Sequence, residues 1–482
     1  MKKYNLPEWV EKYKEKGKTI KVKNDNYYLY ESKCIYDKNK KNKHYTKDIY
    51  LGRITEDNGF IPAKKSNNIK PESLYSKIYG SYALFNGLGK DIVERLEKYF
   101  GDELSKLIFT IAVLRAIENT PYCELEDAYE ESYFSVKYKN LSMSKTSLSD
   151  FLQDLSKYKT NMNSFMKEDI ENDDILIFDG TNILCGGRNI TYKGYGYKHG
   201  HNYNSQINEL YAYSVKNRKP IYYKLLEGSI SDKATLKDVL KESGIKNSIS
   251  LIDKGFNSES NLNGLLENKN KYIMALRSDS KLVPKEILED VTRANVKEMF
   301  TLEEEAIFGY EVKDGNDRIC IYFNSTIASI MDTEYIDKMN RNVKGFEKEK
   351  YQESKKRFGI YIIKTNIEEL NLETIYKYYK SRFEIEYMFD TMKNTLGFDK
   401  TYMHSDESIE SWAFINHISI LLTQKVYDLL RKKDIKISLH QLYRKLRQVK
   451  MIKNNLDKEE RYDMQGIPKK TRILLEQLEI IS

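Results

Sequence analysis

Two short apolar runs, each closing on an aspartate, restrict the fold of this 482-residue chain more than any other feature. Ile175-Leu-Ile-Phe178 runs into Asp179-Gly180-Thr181, and Ile249-Ser-Leu-Ile252 runs into Asp253-Lys254-Gly255-Phe256. Nearly unbroken apolar runs of this length are what a buried sheet requires. Each sets a carboxylate at the end of a buried strand, on a rigid element where catalysis or metal binding needs it. Two such carboxylates can lie close in space although 74 residues separate them. Either aspartate alone reads equally well as an ordinary strand end, because the chain holds 72 acidic residues. The shared context singles the pair out.

The surrounding segments fill in a mixed α/β reading. Alternation at 190–197 and 210–215, a turn at 216–220 and a return at 221–226 suit antiparallel strands. Gly228-Ser-Ile-Ser-Asp232 leads into a helix through Leu236, Val239 and Leu240, Ser258 is a natural N-cap for another, and 271–276 is a further strand. Residues 279–357 read as a β-rich insertion: Asp314-Gly315 sits between alternating strands as a two-residue hairpin signal, and a charged helical stretch covers 332–357. The apolar strand 358–365 then returns to the core, and a helix with Trp412, Phe414, Ile415 and Ile418 for packing spans 409–432. Upstream, 1–74 is strand-rich, with short strands across 19–62, and 75–168 is a small helical domain with Ile92, Leu96, Leu104, Leu107, Ile108 and Ile111 at helical spacing, whose charge identifies no partner. The expected layout is therefore 1–74, 75–168, core 169–278, insertion 279–357, core 358–432 and a basic helical tail 433–482.

Within the second half of the core lies Tyr379-Lys-Ser-Arg382-Phe-Glu-Ile-Glu386-Tyr-Met-Phe-Asp-Thr-Met-Lys393, in a run from Leu372 without proline and with Gly397 as a stop. At about 100° per residue, Tyr379, Arg382, Glu386 and Lys393 fall within about 60° of one another on a helix. A tyrosine, two cations and a carboxylate thus share one stripe, flanked by Phe383 and Phe389. Arg382 and Glu386 are also an i,i+4 pair of the kind common on solvated faces, worth about 0.2 to 0.5 kcal/mol.

Charge and composition bound the partners. Lys+Arg 80 against Asp+Glu 72 gives +8, a mild bias toward polyanions that also serves solubility. Lys38-Asn-Lys-Lys-Asn-Lys43, on a hairpin tip, suits phosphates or a solvated turn. The tail stretch 435–456 carries Lys436, Arg444, Lys445, Arg447, Lys450 and Lys453 without an acid, which reads as a basic amphipathic helix on phosphates or as a solvated face. Cys34, Cys123, Cys185 and Cys320 lie far apart, which argues against a structural zinc site or a disulfide frame and for a reducing compartment. His199-Gly-His201 suggests a metal pair but has no third ligand by spacing. No signal-peptide core, membrane-length apolar run or glycine-rich phosphate loop is evident, so a soluble cytoplasmic protein without Walker-type nucleotide binding is expected.

Asp179, Asp253 and Glu386 together offer the hard oxygen ligands that Mg²⁺ takes, and a pair of such ions about 3.5 to 4 Å apart clamps an in-line phosphoryl transfer. Arg382 suits a bidentate grip on a phosphate, and Lys393 adds a point charge. The spacing Tyr379-x2-Arg382-x3-Glu386-x6-Lys393, after Asp179-Gly-Thr and Asp253-Lys-Gly-Phe, resembles the Tyr-Arg-Glu-Lys signature and two aspartate motifs of bacterial insertion-sequence transposases of the DDE type. The resemblance covers roughly 174–430. It implies an RNase H-like core, a mixed five-stranded sheet flanked by helices, with a mainly β insertion between the second aspartate and the glutamate. It implies catalysis by Asp179, Asp253 and Glu386 on two Mg²⁺ ions, with Mn²⁺ able to substitute, and DNA contacts by Tyr379, Arg382 and Lys393. The implied activity is cleavage at inverted-repeat ends and strand transfer into target DNA, by a homodimer on double-stranded DNA, acting at the nucleoid. A nuclease of the same fold, or a catalytically silent DNA-binding derivative, is the alternative.

Overall fold

A computed structural model describes residues 6–24, 26–36, 44–63, 75–196, 205–230, 235–289, 295–454 and 461–481. The basic tip 38–43, the pair His199 and His201 and the end of the 228–232 segment lie outside the described residues. The chain divides into two compact units, Met1–Leu74 with Asn454–Arg461, and Tyr75–Lys453 with Tyr462–Ser482.

The first unit is an antiparallel sheet of β1 (Lys18–Lys23), β2 (Asn26–Tyr36), β3 (His44–Thr55) and β4 (Gly59–Pro62), in that order. Its alternating aromatics lay Val10, Leu29 and Ile54 into a small core, with Trp9 edge-on to Tyr27 at 5.2 Å.

In the second unit, the chain starts with β5 (Tyr75–Ile78) and the helices Gly80–Leu88 and Lys90–Glu118. The central strands follow: β6 (Ile175–Cys185), the two-residue β7 (Gly194–Tyr195), β8 (Ser205–Ser214), β9 (Lys219–Glu227), β10 (Ile249–Ile252) and β11 (Lys271–Ala275). They pair as β9-β8-β6-β10-β11, the first three antiparallel and the last three parallel. The apolar runs are the reason these strands lie at the centre: Leu176, Ile177, Phe178, Leu251, Ile252 and Ile273 are all fully buried. The 190–197 alternation yields only β7, since Arg188–Lys193 is taken up in turns.

The stretch 279–357 extends this sheet. Strands β12 (Glu298–Leu302), β13 (Glu305–Asp314) and β14 (Asp317–Asn324) form antiparallel hairpins, with Gly315 at φ +63 in the Asp314-Gly315 turn. Strand β15 (Ile360–Thr365) then pairs with β14 on one side and with β11 on the other. Eleven described strands form one sheet, completed by β16 (Lys400–Thr401) against the far end of β6.

Helix Asp406–Lys432 is buried over most of its length, with Ser411, Asn416, His417, Ser419 and Thr423 among its buried residues, and it packs on Lys90–Glu118, Lys145–Leu155 and β9. Its Phe414 ring lies 5.5 Å from Phe100, tilted to it, and 5.5 Å from Phe165, edge-on, so the 75–168 helices share the core of the sheet. The tail is not one basic helix. A capping box at Ser438 and Gln441 starts helix Leu439–Leu446, and β17 (Lys450–Asn454) then pairs antiparallel with β5. Among the described residues no helix is long and apolar enough to cross a membrane.

Candidate active site

The register of β6 and β10 matches Phe178 with Ile252 as parallel neighbours, so Asp179 and Asp253 follow at the same level of adjacent strands. Neighbouring strands lie about 4.8 Å apart, but the expected strand end holds only for Asp253: β6 runs on to Cys185 because β8 continues to pair with it, so Asp179 stands mid-strand. Asp179 accepts the Gly180 amide at 2.9 Å, and Asp253 leaves β10 in extended backbone to begin the turn Lys254–Phe256.

The segment carrying the signature is not one helix. It runs as Leu372–Lys380, tightens at Ser381-Arg382, continues as Phe383–Asp390 and widens into a π turn at Thr391–Thr395. At the first break the amides of Arg382 and Glu384 reach back three residues, to the carbonyls of Tyr379 and Ser381. At the second the Leu396 amide reaches back five, to Thr391 at 2.9 Å, before Gly397 ends the segment at φ +64. The start is held from the extended part of the sheet. Leu372 donates its amide to Glu298 at 2.8 Å and accepts from the Tyr322 hydroxyl at 2.9 Å. Arg318, buried and bidentate on Glu311, spends its remaining amine on the carbonyls of Ile367, Glu368 and Leu370 in the connection before it.

This support lays the signature segment against Asp253. Arg382 pairs with Asp253 through Nη1 and Oδ1 at 3.2 Å, with 13% of its side chain exposed, and its guanidinium lies 5.6 Å from the Tyr379 ring. Arg382 therefore reaches across to the sheet, and its ion-pair partner is Asp253. Its buried Nε has no partner among the described residues. Burial raises the Tyr379 hydroxyl above its ordinary pKa, against the lowering influence of Arg382 and with the charges of Asp253 and Glu386 adding to it. Tyr379, Arg382, Asp253 and Glu386 thus share one electrostatic neighbourhood. Glu386 itself stands exposed on Phe383–Asp390. Lys393, in the π turn, donates to Asn182 on β6 at 3.4 Å.

Among the described residues, no three or more His, Cys, Asp or Glu side chains are gathered closely enough to hold a metal ion. The donor set of Asp179, Asp253 and Glu386 is all hard oxygen, which suits a cation such as Mg²⁺, and Arg382 supplies positive charge to Asp253 in its place. Beside Asp253 opens a hollow of about 560 Å³ lined by Lys254, Arg277, Arg357, Tyr361 and Tyr379.

Residues outside the sequence motifs also converge here. Strand β8 is buried along its length yet carries Gln206, Asn208 and Glu209. That polar run inside a strand was the available signal. Arg277 and Arg357 belong to no pattern. Burial pushes the Glu209 carboxyl up to about 8, and it pushes His417, between Tyr211 and Tyr223, down to about 3. Their effects on stability oppose each other. Glu209 holds its proton in the fold beyond its ordinary 4.5, so its contribution is full below that value and is lost as pH rises through about 8. His417 resists protonation, so its contribution is present above 6.5 and is lost as pH falls toward about 3. Thermal unfolding followed across pH is expected to show a flatter alkaline limb for Glu209→Gln and a flatter acid limb for His417→Gln. Limbs parallel to those of the unmodified protein would refute these assignments.

A family model described as "Transposase DDE domain" matches residues 171–422, just over half of the chain. Among solved structures, a piggyBac transposase synaptic complex with hairpin DNA, determined by cryo-EM, is 12% identical over 77% of this chain and 80% of that one, with a TM-score of 0.41. A Mos1 transposase paired-end complex with a left transposon end is 12% identical over 32% of this chain and 58% of that one, with a TM-score of 0.15. No curated protein matches.

Proposed function

The chain belongs to the transposase DDE-domain family, and on that premise we propose that it cleaves DNA at the ends of an insertion sequence and joins them to target DNA. Asp179, Asp253 and Glu386 are the catalytic carboxylates in this reading and would hold Mg²⁺, two ions in the full site. The chemistry that Mg²⁺ supplies when bound is Lewis-acid activation of an attacking oxygen and neutralisation of a leaving one. The observation that carries the reading is that Asp179 and Asp253 directly follow the paired residues Phe178 and Ile252 of parallel strands, with the signature segment pinned to Asp253 through Arg382. The strand order β9-β8-β6-β10-β11, three antiparallel followed by two parallel, supports an RNase H-like core.

The chain's own side chains then hold the DNA. Arg382 offers a planar guanidinium to a phosphate beside Asp253. Tyr379 presents a ring at the same edge, suited to an unstacked base. Lys254, Arg277 and Arg357, lining the hollow beside Asp253, give a strand leaving the reacting phosphate a cationic course. A pair of ends bridged by a homodimer is part of the proposal.

A second reading has an observation in its favour. The absence of a gathered three-carboxylate group among the described residues, with Arg382 already on Asp253, suits a DNA-binding derivative without turnover. Incubating the purified protein with the DNA that flanks its gene, plus Mg²⁺, distinguishes the two. Nicked and joined products are expected. Binding without cleavage overturns the transposase reading in favour of the silent one, and cleavage without joining or end pairing assigns a nuclease.

A further inference from the structure

Lys393 sits in a π turn, a rare form of helix that is frequent at functional sites. Its ammonium donates to the Asn182 oxygen at 3.4 Å. Asn182 donates in turn to the Gln206 oxygen at 3.2 Å, and Gln206 donates to the Asn208 oxygen at 3.0 Å and to the Gly228 carbonyl at 3.2 Å. Asn208 closes the chain on the Gly228 and Ile230 carbonyls at 3.3 and 2.8 Å. All three amides are more than nine-tenths buried. The end of the chain is fixed by close backbone approach. A Cβ at Gly196 would come 1.8 Å from Gln206 Nε2, and one at Gly228 would come 2.0 Å from the Gln206 carbonyl oxygen. Gln206 therefore has one place to sit, and it fixes Asn182.

We propose that Asn182, backed by Gln206 and Asn208, is a positioning residue that aims the Lys393 ammonium at the DNA backbone. The proposal rests on the DNA-end reading given above. A buried row of three amides is an unusual choice for strands whose neighbours are apolar, and a neutral acceptor explains it. A carboxylate at position 182 would orient the ammonium equally well but would cancel the charge that a phosphate recognises. An amide oxygen restrains the flexible four-carbon stem and leaves the charge intact. Ordering of the lysine is then completed in folding, before DNA arrives.

The test is the salt dependence of binding to a fluorescein-labelled nicked duplex taken from the DNA that flanks the gene. Each phosphate contact on duplex DNA contributes about 0.9 to the slope of log K against log salt. Lys393→Met is expected to lower the slope by about that amount. Asn182→Leu should lower it comparably, and the double variant should lose no more than Lys393→Met alone. Asn182→Ala, which leaves room for water beside Gln206, serves if leucine is not accommodated, with circular dichroism confirming the fold of each variant. An unchanged slope for both Asn182 variants, or losses that add in the double variant, overturns the positioning role while the DNA reading stands. An unchanged slope for Lys393→Met overturns the role of Lys393 in that reading and the proposal with it.

Discussion

Glu386→Gln is expected to reduce cleavage of the flanking ends by more than about a hundredfold, the upper range for losing an outer-shell partner of a metal ligand, while leaving DNA binding unchanged. The amide keeps the shape of the side chain and removes only its charge. Because Glu386 is exposed, the substitution should alter stability by no more than about 0.5 kcal/mol. The competing account makes Glu386 the i,i+4 partner of Arg382 on a solvated face. The pairing of Arg382 with Asp253 at 3.2 Å leaves that account without its ion pair. Parallel gel-shift and cleavage assays decide the matter: retained cleavage removes Glu386 from the catalytic set, and lost binding reassigns it to DNA contact.

Arg318→Met should cost about 3 to 5 kcal/mol of stability, the range for removing one partner of a buried ion pair. Glu311, largely buried, would lose its bidentate partner and keep only the exposed Lys297 at 2.7 Å, and the carbonyls of Ile367, Glu368 and Leu370 would lose their shared donor. Urea unfolding measures the loss. Arg318→Met combined with Glu311→Leu should recover part of it, since no charge then remains stranded. An unchanged midpoint for Arg318→Met would show that the connection before Leu372 is held by other means. The consequence reaches the site, because that connection fixes where the segment bearing Arg382 and Glu386 begins.

What was legible in the sequence followed local pattern. The runs ending in Asp179 and Asp253 could be recognised because a strand buried on both faces needs unbroken apolar residues, and the Asp314-Gly315 hairpin because its turn needs a positive φ that glycine supplies. What was not legible depended on distant partners. The segment from Leu372 to Thr395 has helix-forming residues throughout, and nothing in its composition marks the tightening at Ser381 or the π turn around Lys393. Lys450–Lys453 reads as part of a basic helix until β5, more than 370 residues earlier, supplies an edge to pair with. The stretch 279–357 reads as a separate module because its strands are self-contained hairpins; the pairing of β15 with both β14 and β11 makes them one sheet with the core. Arg382 and Asp253 are 129 residues apart, so neither could be assigned to the other from spacing.

The joining of β11 to β15 also orders the events of synthesis. Strands β6 to β11 emerge first, but the outer edge of β11 stays unpaired until residues 360–365 arrive, about ninety residues later. An unpaired edge on a largely formed sheet is a template for a second nascent chain, and long-range pairing of this kind slows folding. The hairpins of β12 to β14, whose contacts are local, can form in the interval and present β14 for β15 to dock on. A polypeptide released before residue 360 would carry both strand-borne aspartates beside an open edge, prone to aggregate and lacking the segment that brings Arg382 and Glu386 to them.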